Sequence, residues 1–81
     1  MDYEKILLDL ITPMEEDKTN VSVKKMDSLD EREILLHVYA SSEDVARLIG
    51  RKGTMASSIR QLMSVASRGE NKRITIKFDS Y

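Results

Sequence analysis

Two glycines and two cations form the short motif in this chain that is best suited to chemistry. Gly50 and Gly53 are three positions apart, and Arg51 and Lys52 lie between them. Glycine has no Cβ, so it lets a backbone turn tightly and approach a ligand closely. Arginine offers a planar fork and lysine a point charge, and both suit phosphate. The motif therefore predicts a turn that holds a phosphate backbone. The alternative is a plain tight turn, because helix–turn–helix connections use glycine for steric reasons alone.

The charges are unevenly divided along the chain, although its net charge is only −1. Residues 1–46 hold twelve acidic and five basic side chains, whereas residues 47–73 hold seven basic side chains against Glu70 alone. Such asymmetry indicates a polyanionic partner, and an ordinary solvated surface is the alternative. The cations that share this segment with the glycine turn are Arg47, Arg51, Lys52, Arg60, Arg68, Lys72 and Arg73.

The composition excludes several classes of function. A chain of 81 residues fits one small domain, and without cysteine it has no disulfide or thiolate metal site. His37 is the only histidine, so the sequence proposes no nucleophile–base pair, and we expect neither catalysis nor a cofactor. No apolar run approaches the roughly 18 residues of a membrane span. The chain starts with acidic rather than basic residues, which argues against a signal peptide, so we expect a cytoplasmic protein without membrane contact.

The first third of the chain predicts a helix and a loop ahead of the glycine turn. Asp2 is expected to cap the helix, and Pro13 to end or kink it. Residues 15–20 are expected to form an exposed loop, because the three consecutive acids there do not share a helix face. A carboxylate metal or acid–base site is the less favoured alternative. The helical face predicted to be buried contains Leu7, Leu10, Ile11 and Met14.

Three segments alternate as strands do. Residues 21–26 predict a short strand, residues 27–31 a turn, and residues 33–39 the strongest strand of the chain. Residues 72–78 predict a final strand. The side chains expected to face the core are Ile34, Leu36 and Val38, followed by Ile74, Ile76 and Phe78.

Two further helices are predicted on either side of the glycine turn. Ser42 is expected to begin the first as a cap or near-cap, Gly50 to end it, and Gly69 to end the second. The resulting order of helix, strand, strand, helix, helix, strand predicts a two-layer α+β domain, with a three-stranded sheet and helices on one face. The residues expected to be buried are Val45, Leu48 and Ile49 in the first helix, and Met55, Ile59, Leu62, Met63 and Ala66 in the second.

This order of elements, with Ile49-Gly50-Arg51-Lys52-Gly53 between two helices, resembles a KH domain of the bacterial type II arrangement. The resemblance covers residues 1–81 as a single KH domain: a leading helix and loop in residues 1–20, then the strands and the GxxG helix pair in residues 21–81. The segments from Val45 to Arg60 and from Asn71 to Ile74 are similar to the small stand-alone bacterial KH proteins of the KhpA family.

The resemblance implies a protein that binds single-stranded RNA without catalysis, as a post-transcriptional regulator or RNA chaperone. A KH loop clamps the backbone of about four nucleotides. Here Gly50 and Gly53 would allow close approach, and Arg51 and Lys52 would neutralise phosphates. The amides of the loop and of the helix that begins near Thr54 would meet the same phosphates.

The bases would then lie in a narrow apolar groove beside the loop. Val45 and Ile49 would line one side of it, and part of the strand at residues 33–39 the other. The cations expected on the rim of this groove are Arg47, Arg60, Lys72 and Arg73.

Two departures from the family pattern predict weak and unselective binding. Family members often carry cations just after the loop, where this chain has Thr54, Met55 and Ser57. The chain also has only one phenylalanine and three tyrosines, so stacking of bases on rings should contribute little. No residue distinguishes RNA from single-stranded DNA.

The resemblance also implies self-association as a homodimer, or pairing with a larger RNA-binding protein that carries its own KH domain. The alternative function is a protein-interaction or dimerisation module with weak or no RNA binding, in which the glycine turn serves packing alone.

Overall fold

The computed structural model describes residues 2–15 and 20–81, and its elements follow the predicted order. Three short 3₁₀ turns connect them, at Thr12–Met14, Arg51–Gly53 and Arg68–Glu70. The helices and strands are α1 (Tyr3–Ile11), β1 (Ser22–Met26), β2 (Glu33–Ala40), α2 (Ser42–Ile49), α3 (Thr54–Ser67) and β3 (Arg73–Ser80).

The sheet has β2 at its centre, with β1 antiparallel on one edge and β3 parallel on the other. The register pairs Val23 with Val38, and Val38 in turn with Phe78. Side chains alternate along β2, so that every second residue is buried. The predicted two-layer α+β fold with a three-stranded sheet is confirmed. Its core is formed by Tyr3, Leu7 and Ile11 of α1, Leu48 of α2, Ile59 and Met63 of α3, and Ile34, Leu36, Val38, Ile74 and Ile76 of the sheet.

Helix α1 begins and ends where the sequence predicts. The carboxylate of Asp2 accepts a hydrogen bond from the amide of Lys5 at 3.1 Å, which caps the helix. The α-helix ends at Ile11, and Pro13 lies in the 3₁₀ turn that follows. Proline fits there because it supplies no amide for a continuing α-helix.

Helix α2 buries a different face from the one predicted. Its cap is Ser41, one residue before the predicted Ser42, and the Ser41 hydroxyl accepts from the amide of Asp44 at 3.2 Å. Asp44 and Leu48 are buried, whereas Ile49, expected in the core, is 37% exposed. The prediction for Ile49 was wrong because a carboxylate occupies the inward position that hydropathy assigned to an apolar residue.

Helix α3 is also rotated relative to its predicted face. Ala56, Ile59, Met63 and Ser67 are buried, whereas Leu62, expected in the core, is 56% exposed. Small side chains at both ends of this face let α3 lie close to the sheet, and hydropathy alone does not favour them over a leucine.

The end of α3 differs from the prediction as well. The helix ends at Ser67, two residues before the predicted Gly69, and the left-handed residue in the turn that follows is Asn71, with φ of 54°. Asparagine tolerates this conformation better than most residues.

Glu15 is buried, against the prediction of an exposed loop, while residues 16–19 lie outside the described residues. Burial, together with the nearby carboxylate of Asp44, raises the pKa of Glu15 to about 7; Arg47 opposes the shift. Asp44 is buried too and accepts a hydrogen bond from the Arg47 guanidinium. Two carboxyl groups in one buried site favour protonation of one of them.

We therefore expect the free energy of unfolding to fall as pH rises from about 4.5 to about 7. The folded chain keeps the Glu15 proton over this range and the unfolded chain releases it. Glu15→Gln removes the titrating group, so the variant should match wild type near pH 4.5 and exceed it at pH 8 by about 1 to 3 kcal/mol. Urea unfolding at several pH values measures this difference. Glu43→Gln, in the exposed first turn of α2, is the control and should leave the pH profile unchanged. A constant difference between Glu15→Gln and wild type at all pH values would contradict the assignment.

Candidate nucleic-acid interface

The turn between α2 and α3 has an unusual backbone conformation. Gly50 has φ of 74° and ψ of 177°, and Gly53 has φ of 77° and ψ of 14°. Lys52 has φ of 57°, one of two described residues other than glycine with positive φ. A positive φ costs a residue with a Cβ of order 1 kcal/mol or more. Three of the four motif residues therefore hold conformations that ordinary residues avoid.

The two glycines are required for different reasons. A Cβ at Gly50 would lie 2.7 Å from the Cβ of Met55 and 2.9 Å from its amide nitrogen, so the first glycine lets the start of α3 approach the end of α2. A Cβ at Gly53 would meet no atom within 4 Å. The second glycine leaves open space beside the N-terminus of α3, which a ligand backbone can approach closely.

Hydrogen bonds within the turn leave part of it available for a ligand. The amide of Gly53 donates to the carbonyl of Gly50 at 3.2 Å, and the hydroxyl of Thr54 donates to the carbonyl of Arg51 at 2.9 Å. None of the turn's bonds uses the amide of Arg51 or Lys52. Both of these side chains are exposed and form no ion pair within the described residues. Two cations and a helix N-terminus thus lie together on one surface.

A cleft of about 400 Å³ adjoins this turn. Helices α2 and α3 form one wall and β3 the other, whereas the sequence predicted β2 as the strand wall. Because β3 pairs with β2 in parallel, it forms the sheet edge on this side of the central strand. We call this cleft the groove, and its lining residues are Ile49, Gly53, Ala56, Arg60, Ile76, Lys77, Phe78 and Asp79.

The groove accounts for the exposure of Ile49. This side chain lines the groove rather than the core, so the predicted core position was wrong, and its binding role stays a prediction. Val45, also predicted to line the groove, lies one helical turn earlier, is only half-buried, and is not part of the lining.

The predicted rim cations separate into three environments. Arg60 lines the groove, whereas Arg47 is paired with the buried carboxylate of Asp44. Lys72 and Arg73 lie at the opposite end of α3, where they line a different cleft. The structure thus brings together Ile49, Gly50, Arg51, Lys52, Gly53, Thr54 and Arg60, but not Lys72 or Arg73.

Lys77 was not among the predicted binding residues. It lines the groove opposite Arg60 and is exposed. Asp79 also reaches the groove and lies 2.6 Å from Nε2 of His37. Only the pairing of β3 beside the helices reveals these residues, and the local sequence carries no signal for it.

The groove combines apolar surface with charge at its edges. Ile49, Ala56, Ile76 and Phe78 give it apolar walls that suit flat, weakly polar rings. Across residues 2–15 and 20–81, no group of three or more acidic or histidine side chains is placed to hold a metal ion. None of the described helices has both the length and the apolar character needed to cross a bilayer.

Comparison with known proteins adds to this geometry. The family described as KhpA/KhpB, KH domain, matches residues 4–78. The RNA-binding protein KhpA of Clostridium perfringens is 32% identical over 73 residues, which cover 90% of this chain and 96% of that protein. The RNA-binding protein KhpA of Clostridium acetobutylicum is 34% identical over 47 residues, which cover 58% of this chain and 63% of that protein.

Alanine substitutions should separate the roles of the glycines. Gly50→Ala should lower the free energy of unfolding by about 2 to 4 kcal/mol, because its Cβ meets Met55 and its φ is positive. Gly53→Ala should cost only about 1 kcal/mol, from φ alone. Urea unfolding measures both, and Gly69→Ala, which has open space and no positive φ, is the control and should change stability little. Equal losses at Gly50 and Gly53 would contradict the packing role of Gly50.

Proposed function

The chain belongs to the KhpA/KhpB family of KH domains, and from that membership we propose that it binds single-stranded RNA without catalysing a reaction on it. The names of two relatives as RNA-binding proteins support the ligand class. The observation that carries the proposal is the open space at Gly53 beside two exposed cations and the groove.

In this proposal the turn clamps the phosphate backbone. The strand approaches at Gly53, where no atom blocks it, and the amides of Arg51 and Lys52 donate to phosphate oxygens. The two side chains neutralise the phosphates, and Thr54 lies at the start of the adjoining helix. Bases then contact the apolar walls of the groove. Arg60 and Lys77 add charge on its two sides.

The proposed biological role is that of a cytoplasmic post-transcriptional regulator or RNA chaperone. A clamp on the backbone holds many sequences equally, because phosphates carry no sequence information. Phosphates are common to RNA and DNA, and the 2′-hydroxyl is what distinguishes the two, so single-stranded DNA is the comparison ligand.

An uncharged face of α3 supports the second candidate function, self-association. Leu62 and Val65 are 56% and 58% exposed and lie one turn apart, on the side of the helix away from Arg60. Exposed Ser58 and Gln61 adjoin them on the N-terminal side, so a partner could cover this part of the face without burying charge. We propose that a second copy, or the KH domain of a larger RNA-binding protein, packs here.

Reversing the charge of the turn should abolish most RNA binding. Arg51→Asp with Lys52→Asp should weaken binding of a 12-nucleotide oligouridine at least tenfold. The salt slope, which is the steepness with which the logarithm of the binding constant falls with the logarithm of salt concentration, should decrease by about 1.4, or 0.7 for each lost phosphate contact. Fluorescence anisotropy at several salt concentrations measures both quantities. Lys24→Asp with Lys25→Asp makes the same charge change on exposed positions of β1 and should have a much smaller effect.

Equal losses in the two double variants would indicate a general charge effect and reject the clamp. Absence of salt-dependent binding by wild type would reject RNA binding itself. The corresponding oligodeoxyuridine, titrated in parallel, measures the preference for RNA.

Charge on the exposed face of α3 should block self-association without blocking the clamp. Leu62→Glu with Val65→Glu should reduce the mass of the particle in solution from about that of two chains to that of one, as measured by analytical ultracentrifugation. Binding of the 12-nucleotide oligouridine per chain should persist. Ser57→Glu with Ser64→Glu introduces the same charge at other exposed positions of α3 and should leave the mass unchanged. A wild-type chain that is monomeric at all concentrations would contradict self-association.

A further inference from the structure

A second basic cleft lies at the end of α3 that is remote from the glycine turn. It has a volume of about 530 Å³ and is formed by the β1–β2 connection, the last turn of α3 and the start of β3. We call it the distal pocket, and its lining residues are Asp30, Arg32, Ser64, Ser67, Arg68, Asn71, Lys72 and Arg73.

Hydrogen bonds hold the walls of the distal pocket together. The amide of Arg73 donates to the carbonyl of Arg32 at 2.8 Å, which joins β3 to the β1–β2 connection. The buried hydroxyl of Ser67 donates to the carbonyl of Lys72 at 3.1 Å, which joins α3 to the residue before β3. The pocket is therefore a built part of the fold, and a ligand would not have to order it.

Most of the cationic side chains that line the distal pocket form no ion pair with another described residue. Arg73 already forms ion pairs within the fold, since its guanidinium lies 3.0 Å from the carboxylate of Glu33 and 3.8 Å from that of Asp30. Glu33 also accepts hydrogen bonds from Ser28 and Thr75, and these bonds, with that of Arg73, lower its pKa. The three remaining cations form no ion pair or side-chain hydrogen bond among the described residues, and they are Arg32, Arg68 and Lys72.

Support of the helix end does not explain all three cations. A cation near a helix C-terminus stabilises the helix dipole, and Arg68 meets that need. Arg32 belongs to a different segment, and Lys72 lies beyond the 3₁₀ turn, so neither is required for that purpose. Their convergence on one cleft points to an anion.

The distal pocket and the groove lie along the same crease between α3 and β3. Along α3 the lining of the groove continues into that of the pocket at a helical spacing of three or four residues, through Ala56, Arg60, Ser64 and Ser67. On β3 the pocket includes Arg73 and the groove includes Lys77. Arg60 to Arg68 along the helix spans about 12 Å, and Arg73 to Lys77 along the strand about 13 Å.

We propose that the distal pocket binds a phosphate of the same RNA strand that the glycine turn clamps, so that the chain holds RNA at both ends of the α3–β3 crease. This inference rests on the proposed function and extends its binding surface. A strand of about four nucleotides fills the clamp alone. A longer strand follows the crease past Arg60 and Lys77 to Arg32, Arg68 and Lys72.

The test compares a 4-nucleotide with a 12-nucleotide oligouridine, on wild type and on the triple variant Arg32→Ala, Arg68→Ala, Lys72→Ala. The variant should bind the longer strand about 5- to 30-fold more weakly, with a salt slope reduced by about 2, and the shorter strand within twofold of wild type. The triple variant Lys5→Ala, Lys24→Ala, Lys25→Ala removes the same charge from exposed sites outside the crease and is the control. Thermal unfolding verifies that both variants fold.

The outcomes separate the inference from the proposed function. If the distal variant binds the longer strand as wild type does, or if the control loses as much affinity, the distal site is rejected while RNA binding stands. Equal losses for both strands would show an indirect effect on the clamp and also reject it. Failure of wild type to bind either strand overturns both proposals.

Nuclear magnetic resonance provides a direct readout. Amide signals of residues 68–72 should shift with the longer strand but not with the shorter one. Shifts at these residues with inorganic phosphate alone, without any dependence on strand length, would assign the pocket to a small phosphate ion and overturn the inference.

Discussion

The close contact between Gly50 and Met55 determines the geometry on which the remaining features depend. With the Cβ of Met55 only 2.7 Å from where a Cβ of Gly50 would be, α2 can end and α3 begin within four residues. The short connection turns Arg51 and Lys52 outward and places Ile49 beside the N-terminus of α3. Any side chain at Gly50 would move α3 away from α2.

The sequence was sufficient for the order of elements but not for the side chains that each helix buries. Alternation in β2 identified Ile34, Leu36 and Val38 correctly because strand periodicity leaves only two possible faces. In α3, an alanine and a serine occupy inward positions and Leu62 an outward one, so a helical pattern based on hydropathy selects the wrong rotation. Glu15 was assigned to solvent for the same reason: it is buried near Asp44, which is remote in sequence, and hydropathy assigns both carboxylates to the surface.

One part of the candidate site was predictable from local sequence, whereas the other part depends on contacts between residues that are distant in sequence. Residues from Ile49 to Thr54 are contiguous, so their spacing alone predicted a turn with cations and a helix N-terminus. The opposite wall of the groove comes from the parallel pairing of β3 with β2, which joins residues about forty positions apart. Local patterns do not contain such pairings, so the prediction chose the strongest strand, β2, and assigned Lys72 and Arg73 to a rim that they do not reach.

Net charge is a poor guide to the surface of this protein. The net charge of −1 is the sum of an excess of acidic residues in the N-terminal half and an excess of basic residues after it. The cations that line the crease come largely from α3, β3 and the turns that flank them. Fields act locally, because charges more than about 8 to 10 Å apart on a solvated surface are screened at physiological salt. In the proposed binding mode, Arg60 and Lys77 would attract a strand in the crease, whereas acidic residues beyond that distance would contribute little. Backbone charge contacts of this kind favour length of strand over base identity, since every added nucleotide would bring a phosphate and only the apolar groove walls would touch the bases.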